Sequence, residues 1–315
     1  MRASAGQDTA GSPARYHPFV SRSYSRLITT PAAARAIRDA SRPFVSLLTD
    51  FGLRDPSAAI CKGVVLGIAP EALVVDISHE VDKYAVRDGA LLLWCALPYL
   101  PVGAHVAVVD PGVGTDRRPL AVETGRGDML VGPDNGILMP AARRVGGIRR
   151  VHLLENPQYR LPVVSSSFHG RDLFAPAAAH LVLGVPIETL GRAVDPRDLE
   201  PLDWPEPTID AGEGTLTTEV VYVDTFGNLK LSALRADLHE AIEGLELGDP
   251  LEVVSATGGA AQRLTWSHTF GAVDPGDALL YEDSYGRLCL AANQGALAEQ
   301  WRIGQGTKLT VRRAT

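Results

Sequence analysis

Three aspartates stand where apolar runs stop and turns begin: Asp50 in LLTDFG, Asp110 in VVDPGVG and Asp224 in YVDTFGN. Taken singly, such an aspartate is a turn or cap residue, because its carboxylate takes up the backbone N–H groups that follow. Three in one chain, each beside Gly or Phe, point to a site, since ligands of open α/β sheets gather at the carboxyl ends of strands. The stretch VVDPGVGTDRR (108–118) adds two arginines, Arg117 and Arg118, after a Pro- and Gly-rich turn. Such a stretch could be a phosphate loop, a structural corner or the wall of a reaction site. In SSSFHGRDLF (165–174), His169 precedes a helix start, where free N–H groups and the helix dipole favour an anion. Arg171 and Asp172 in the first turn read as a local ion pair.

Other chemistries are set aside on pattern. GVGTDR lacks the third glycine of a dinucleotide fingerprint, and a strand-like run, LAVET, follows it instead of a helix. No GK[ST] is present, so no P-loop. His79 and Glu80 lack the second histidine of HExxH, and no metal site is expected. There is no GxSxG elbow, and Ser165, Ser166 and Ser167 read as a polar turn. Cys61, Cys95 and Cys289 share no metal or redox spacing and sit among apolar residues, which reads as buried thiols in a reducing cytoplasm.

The elements that must position these residues follow from periodicity. Short β-branched runs recur at FVSLLTD (44–50), LVVDIS (73–78), HVAVVD (105–110), LAVET (120–124), MLVGPD (129–134) and VHLLE (151–155). Helical stretches lie between several of them. PSAAICKGVVLGIAP (56–70) opens on a proline suited to a first turn, AVRDGALLLWCAL (85–97) is apolar at helical spacing, and GRDLFAPAAAHLVLG (170–184) stops on a glycine. Alternation of strands and helices predicts an α/β domain with a largely buried, mostly parallel sheet over 44–205. PRDLEPLDWPEPTIDAGEG (196–214) reads as a linker. Beyond it, short alternating runs with one short helix, GALAEQW (295–301), predict a small antiparallel β-barrel over 206–315. Residues 1–43, rich in Ser, Ala and Arg, read as a disordered extension, with PAAARAIRDA (31–40) able to form a short helix. The net charge of −7 disfavours nucleic acid as a partner, and no apolar run is long enough to span a bilayer.

TDFG (49–52), DISHEV (76–81), VDPGVGTDRR (109–118), PDNG (133–136), SSSFHGRD (165–172) and VDTFGNLKL (223–231) occur in an order and spacing that resemble one family. It is the S-adenosylmethionine hydroxide adenosyltransferases, or S-adenosylmethionine hydrolases, related to the fluorinase and chlorinase enzymes. The resemblance covers about residues 44–315. It implies a Rossmann-like N-terminal domain, a C-terminal β-barrel, and a homotrimer with sites between neighbouring subunits. The implied reaction takes S-adenosylmethionine and water to adenosine and methionine, with no cofactor. The family's Asp-Arg-His set falls on Asp110, Arg117 and His169. In the halogenating relatives the position of Asp110 is a tyrosine and the arginine is absent.

The implied substrate contacts are more widely spread. Asp50, with Phe51 beside it, would hold the ribose hydroxyls, Asp55 and Ser57 the methionine end, and Tyr84 would form an aromatic wall. Asp224, Phe226 and Asn228 would face methionine and adenine from the barrel, in a segment one residue shorter than in the fluorinases. Ser284 matches a fluorinase contact whose following arginine is Tyr285 here. Two other functions fit the same fold: a non-catalytic binder of adenosine or S-adenosylmethionine, and a halogenase. Against the halogenase, a carboxylate at position 110 repels a halide.

Overall fold

In a computed structural model that describes residues 42–256, 258 and 261–314, the first six apolar runs become one sheet. The strands are Phe44–Thr49 (β1), Leu73–Ser78 (β2), Ala104–Val108 (β3), Pro119–Thr124 (β4), Met129–Pro133 (β5) and Ile148–Leu153 (β6). Their order is β2-β1-β3-β5-β4-β6. β2, β1, β3 and β5 run parallel, and β4 runs antiparallel to both of its neighbours. β1 and β3 are buried at every position, as strands covered on both faces must be. β2 lies at the sheet edge, half open to solvent, although its sequence is just as apolar.

Two helical layers cover the sheet. Ser57–Ile68 (α1) and Ala175–Val182 (α4) pack on one face through Cys61, Val65, Ala178 and Leu181. Val86–Ala96 (α2) and Met139–Arg144 (α3) pack on the other through Leu91, Trp94 and Ala141. From β1 the chain moves outward to β2, then crosses back to β3 on the other side of β1. The crevice between the carboxyl ends of β1 and β3 is therefore the switch point where open α/β sheets bind ligands. Thr49 pairs with Val108, so Asp50 and Asp110 leave neighbouring strands within about one residue of each other.

The second half is a closed barrel. Thr215–Val223 (β8), Leu229–Leu234 (β9), Pro250–Ser255 (β10), Gln262–Trp266 (β11), Ala278–Glu282 (β12), Arg287–Ala292 (β13) and Lys308–Arg313 (β14) form seven strands, closed by the β14–β8 pairing. The expected barrel is antiparallel, but β11 and β12 pair in parallel. The stretch expected to be linker also holds a short strand, Thr208–Asp210 (β7), paired on the outside of β8. Arg235–Ala241 (α5) joins Leu297–Trp301 (α6) as a second helix of this half. Helices α3 and α5, at six and seven residues, are too short to show a helical period in the sequence. The expected extension, with its short helix, falls on residues 1–41, outside the described residues apart from Arg42 and Pro43. All three cysteines are buried and free. Among the described residues no helix is long and apolar enough to cross a membrane.

The two halves meet at a seam of aromatic rings and guanidinium groups. Arg287 of β13 is fully buried, 4.8 Å from the Trp204 ring centre and 5.4 Å from that of Trp94, and donates through Nη1 to the carbonyls of Leu231 and Ser232. Burial lowers its pKa to about 10, so the charge is retained at neutral pH. Gln305 adds a hydrogen bond of 2.6 Å to Asp88 of α2.

Under the far, amino-terminal end of the sheet lies a second buried polar chain. Ser46 meets His105 Nδ1 at 2.8 Å, and His105 Nε2 meets Asp128 at 3.2 Å. Arg126 and Thr124 complete the hydrogen bonds of Asp128. The connectivity is that of a Ser-His-Asp triad, but Ser46 and His105 are wholly inaccessible, so the chain is structural. Those partners outweigh burial and bring the Asp128 pKa to about 2. A depressed carboxylate stabilises the fold above its unfolded pKa near 3.8, and that contribution is lost as pH falls towards about 2. It is worth on the order of 2 kcal/mol. Asp128→Asn is expected to lower unfolding stability at pH 7 by at least about that amount, measured by urea denaturation. The gap between variant and wild type should narrow as pH falls from 4 to about 2.

Candidate active site

Asp110 follows β3 two residues past the strand end and turns its carboxylate into the sheet crevice, with the side chain only 5% exposed. Two features fix the strand end. Asn135 of PDNG donates to the carbonyl of Val109 at 2.8 Å. Asp134 accepts from Arg118, whose own carbonyl takes the Asp134 N–H. The two adjacent arginines thus diverge, Arg118 outward to Asp134 and Arg117 inward to Asp110.

Arg117 grips Asp110 with a bidentate fork: Nε donates to Oδ1 at 3.0 Å and Nη2 to Oδ2. The same Nη2 donates to His169 Nδ1 at 3.0 Å. The Phe174 ring lies 5.4 Å from the guanidinium carbon, a cation–π support. Arg117 Nη1 is buried and has no acceptor among the described residues. Nearly closed from solvent, the guanidinium thus keeps one donor arm unsatisfied beside a carboxylate and an imidazole.

Segments far apart in the chain meet here because Gly114 allows it. Gly114 has φ +79°, and a Cβ there would stand 2.3 Å from the carbonyl oxygen of Ser166. Only glycine lets the 110–117 turn touch the 165–169 loop that carries His169. That loop is tied in turn by Asp172, which accepts from the Ser165 N–H at 2.8 Å and pairs with Arg171. The expected local ion pair is present, and it also caps the loop. The helix begins with a π turn, Gly170–Phe174, where a plain α-helix is expected. A Cβ on Gly170 would meet the Phe51 ring at 2.9 Å, so TDFG and FHGRD pack directly on each other.

The electrostatics follow from burial. Desolvation raises the Asp110 pKa above 3.8, opposed by the charge and hydrogen bonds of Arg117. Desolvation, and next the Arg117 charge, lower the His169 pKa below 6.5, opposed mainly by the Asp110 and Asp172 charges. His169 is therefore neutral at pH 7. An imidazole that accepts at Nδ1 carries its proton on Nε2 and can only donate there.

The other sequence-derived residues fall into separate groups. Asp50 accepts the Tyr84 N–H at 3.0 Å, and Tyr84 sits at φ +67° and is 71% exposed, a strained pose for an aromatic residue. Phe51 packs edge-on against Phe168 at 5.6 Å between ring centres. Asp55 accepts the Ser57 N–H at 3.1 Å at the start of α1, and hydrogen bonding by the Ser57 side chain and then its backbone lowers the pKa of Asp55. Asp224 closes its own turn, taking the N–H groups of Phe226 and Asn228 and the Asn228 amide, and Phe226 projects outward, 77% exposed. Ser284 is exposed, and Tyr285 covers Lys230 Nζ at 5.1 Å. No hydrogen bond or ring contact among the described residues joins the Asp224 turn or Ser284 to the Asp110 cluster. Sequence reasoning passed over Asn135 and Lys230, and read Asp172 as half of an ion pair without its hold on the Ser165 loop. Asn135 lies inside the PDNG motif, where its neighbours stood out. Lys230, paired with Asp283, is a lone lysine in a strand and gives no pattern.

A largely parallel sheet with a buried carboxylate–guanidinium–imidazole cluster at its switch point, joined to a closed barrel, defines a two-domain α/β enzyme. The sequence matches the SAM hydroxide adenosyltransferase N-terminal domain over residues 45–191 and the SAM hydroxide adenosyltransferase C-terminal domain over residues 218–310. The chain belongs to the SAM hydroxide adenosyltransferase family. It is 41% identical over 272 residues to an (R)-S-adenosyl-L-methionine hydrolase of Salinispora tropica, covering 86% of this chain and 98% of that one. A fluorinase of Actinopolyspora mzabensis is more distant, 28% identical over 299 residues, with 87% and 98% covered. A solved structure of a conserved protein of Thermotoga maritima superposes with a TM-score of 0.78 at 31% identity, covering 85% of this chain and all of that one.

The Gly114 contact gives a direct test of the cluster. Gly114→Ala is expected to push the two loops apart and release His169 from Arg117. Followed by NMR, the His169 ring should then titrate at higher pH than in the wild type, moving back towards 6.5, since both causes of its depression weaken. An unchanged titration in a folded variant would show that the loops meet without the glycine.

Proposed function

We infer that this protein hydrolyses S-adenosyl-L-methionine to adenosine and L-methionine, by attack of a water-derived oxygen on ribose C5′. The observation that carries the reading is the Arg117 fork holding Asp110 and His169 in one buried cluster, in a chain 41% identical to a named hydrolase of that substrate. The epimer in that relative's name, (R) at sulfur, is part of the proposal.

The chemistry turns on the nucleophile. The sulfonium leaves as a neutral thioether, so the leaving group asks for no acid, and we propose that no cofactor takes part. Water, with a pKa near 15.7, facing a free aspartate near 3.9, would cost about 16 kcal/mol to deprotonate fully, at roughly 1.36 kcal/mol per unit. Burial raises the Asp110 pKa and narrows that gap. The remainder is met by transferring the proton to Asp110 during attack rather than before it. Holding the oxygen in line behind C5′ contributes about 7–11 kcal/mol. In this reading Asp110 is the base and Arg117 keeps it ionised and oriented. His169 donates from Nε2 to the incoming oxygen, a narrower part than the shared proton removal its residue type first suggests. Asp50 takes the ribose diol with the oxygen that Tyr84 leaves free. A halide would face the Asp110 carboxylate at close range, which favours water over halogenation.

For the barrel residues we propose a neighbouring subunit as the partner. Leu53, Tyr84 and Phe226 are 67%, 71% and 77% exposed, an unusual display of large apolar side chains around site motifs. A homotrimer would cover them and bring one chain's Phe226 turn to the next chain's Asp110 cluster. Three buried free thiols suit a cytoplasmic setting. Light scattering in solution should give about three times the 33.5 kDa chain mass. A monodisperse monomer that turns over substrate would overturn the assembly but not the reaction.

Incubation in oxygen-18 water should place label in the 5′-hydroxyl of adenosine. Asp110→Asn, Arg117→Ala and His169→Ala should each slow adenosine release by about 10²–10⁴-fold with folding retained. Tight binding without turnover in the wild type would instead favour a non-catalytic binder.

A further inference from the structure

The motifs TDFG and DISHEV carry residues to which the proposed reaction gives no part: Thr49, Asp76 and His79. They form one connected chain. Lys62 of α1 donates to Asp76 Oδ2 at 2.6 Å. Asp76 Oδ1 lies 3.1 Å from His79 Nε2, an oblique contact rather than a linear hydrogen bond. His79 Nδ1 lies 2.8 Å from the Thr49 hydroxyl, and both residues are almost wholly buried. The Thr49 hydroxyl also accepts the Phe51 N–H at 3.2 Å.

For a neutral His79 ring the protons in this chain can be placed by elimination. If Nδ1 carried the ring proton, the bare lone pair of Nε2 would face the Asp76 carboxylate. Asp76 therefore fixes the proton on Nε2 and leaves Nδ1 as an acceptor. The Thr49 hydroxyl must then donate to Nδ1, which turns its lone pairs towards Phe51. The bond from Phe51 N–H back to Thr49 Oγ1 closes a short turn whose middle residue is Asp50. The His79 carbonyl grips the same corner from the other side, accepting the Gly52 N–H at 2.7 Å.

We propose that Thr49 and His79, backed by Asp76 and Lys62, are positioning residues that aim the Asp50 carboxylate at its ligand. None of the four need touch substrate. The hydroxyl direction sets the turn, and the turn sets where the Asp50 oxygens point. This rests on the reading of Asp50 as the acceptor for the ribose diol.

The readout is discrimination between adenosine and 2′-deoxyadenosine, measured by calorimetric titration of the full chain. A general packing defect weakens both ligands alike and leaves their affinity ratio unchanged. Misaiming Asp50 weakens adenosine, which offers it both hydroxyls of the diol, more than 2′-deoxyadenosine, which offers it only the 3′-hydroxyl. Thr49→Val, which keeps the shape and removes the hydroxyl, is expected to reduce the ratio about tenfold, while Thr49→Ser keeps it. His79→Gln, which removes the Nδ1 acceptor, should behave like Thr49→Val and carries the test if that variant does not fold. Asp50→Asn separates the two layers of the argument. If Asp50→Asn abolishes the discrimination and the folded Thr49 or His79 variants keep it, the positioning proposal is overturned and the Asp50 reading stands. If Asp50→Asn also keeps it, the Asp50 reading falls, and the proposal with it.

Discussion

A carboxylate that is 5% exposed keeps its charge only while a cation faces it, and the architecture around the crevice serves that requirement. The Arg117 fork is the interaction on which the cluster depends. It neutralises Asp110, fixes both oxygens of that carboxylate, and through Nη2 dictates the tautomer of His169. Remove the guanidinium and three things fail together: the aspartate pKa loses its main opposition to burial and rises further, the imidazole loses its fixed orientation, and the Phe174 face loses its cation. A lysine could replace the charge but not the fork, since an ammonium is a point donor without the planar geometry that spans Asp110 and His169 at once.

The fork also explains the supporting shell. Arg117 reaches inward because its neighbour Arg118 is drawn out to Asp134, and the strand end is held by Asn135 on the Val109 carbonyl. Contact with His169 requires the 110–117 turn to press against Ser166, at a distance that excludes any side chain at position 114. Motif residues with no reactive group of their own thereby fix the separation of those that have one. The barrel is held to this domain by a different device, the fully buried Arg287 between two tryptophans, so the relation of the two halves does not depend on the site.

Much of this was legible in the sequence, for identifiable reasons. Strands β1 and β3 are buried on both faces and announce themselves as apolar-rich runs broken only by Ser46, Thr49 and His105. The aspartates at their ends mark the switch point, and the glycines and asparagine of the motifs mark its turns. The elements that escaped were α3 and α5, too short to show a period, and β7, which pairs with the barrel from within a Pro-rich stretch. The parallel β11–β12 pair escaped because strand direction is not encoded in alternation. At the site, residue types suggested which groups react, while what each can do depends on partners that only the fold supplies.

His169 shows the difference most clearly. By type it is the usual general base, and its lowered pKa leaves it neutral, as a base must be. Yet its one available lone pair, on Nδ1, is already engaged by Arg117, a group that can only donate. The ring can therefore offer the crevice only an N–H. A donor there stabilises a developing oxygen nucleophile and leaves proton removal to Asp110, whose pKa burial moves in the direction a base requires. Two residues that look interchangeable in the sequence are thus assigned opposite ends of a hydrogen bond by the single guanidinium between them.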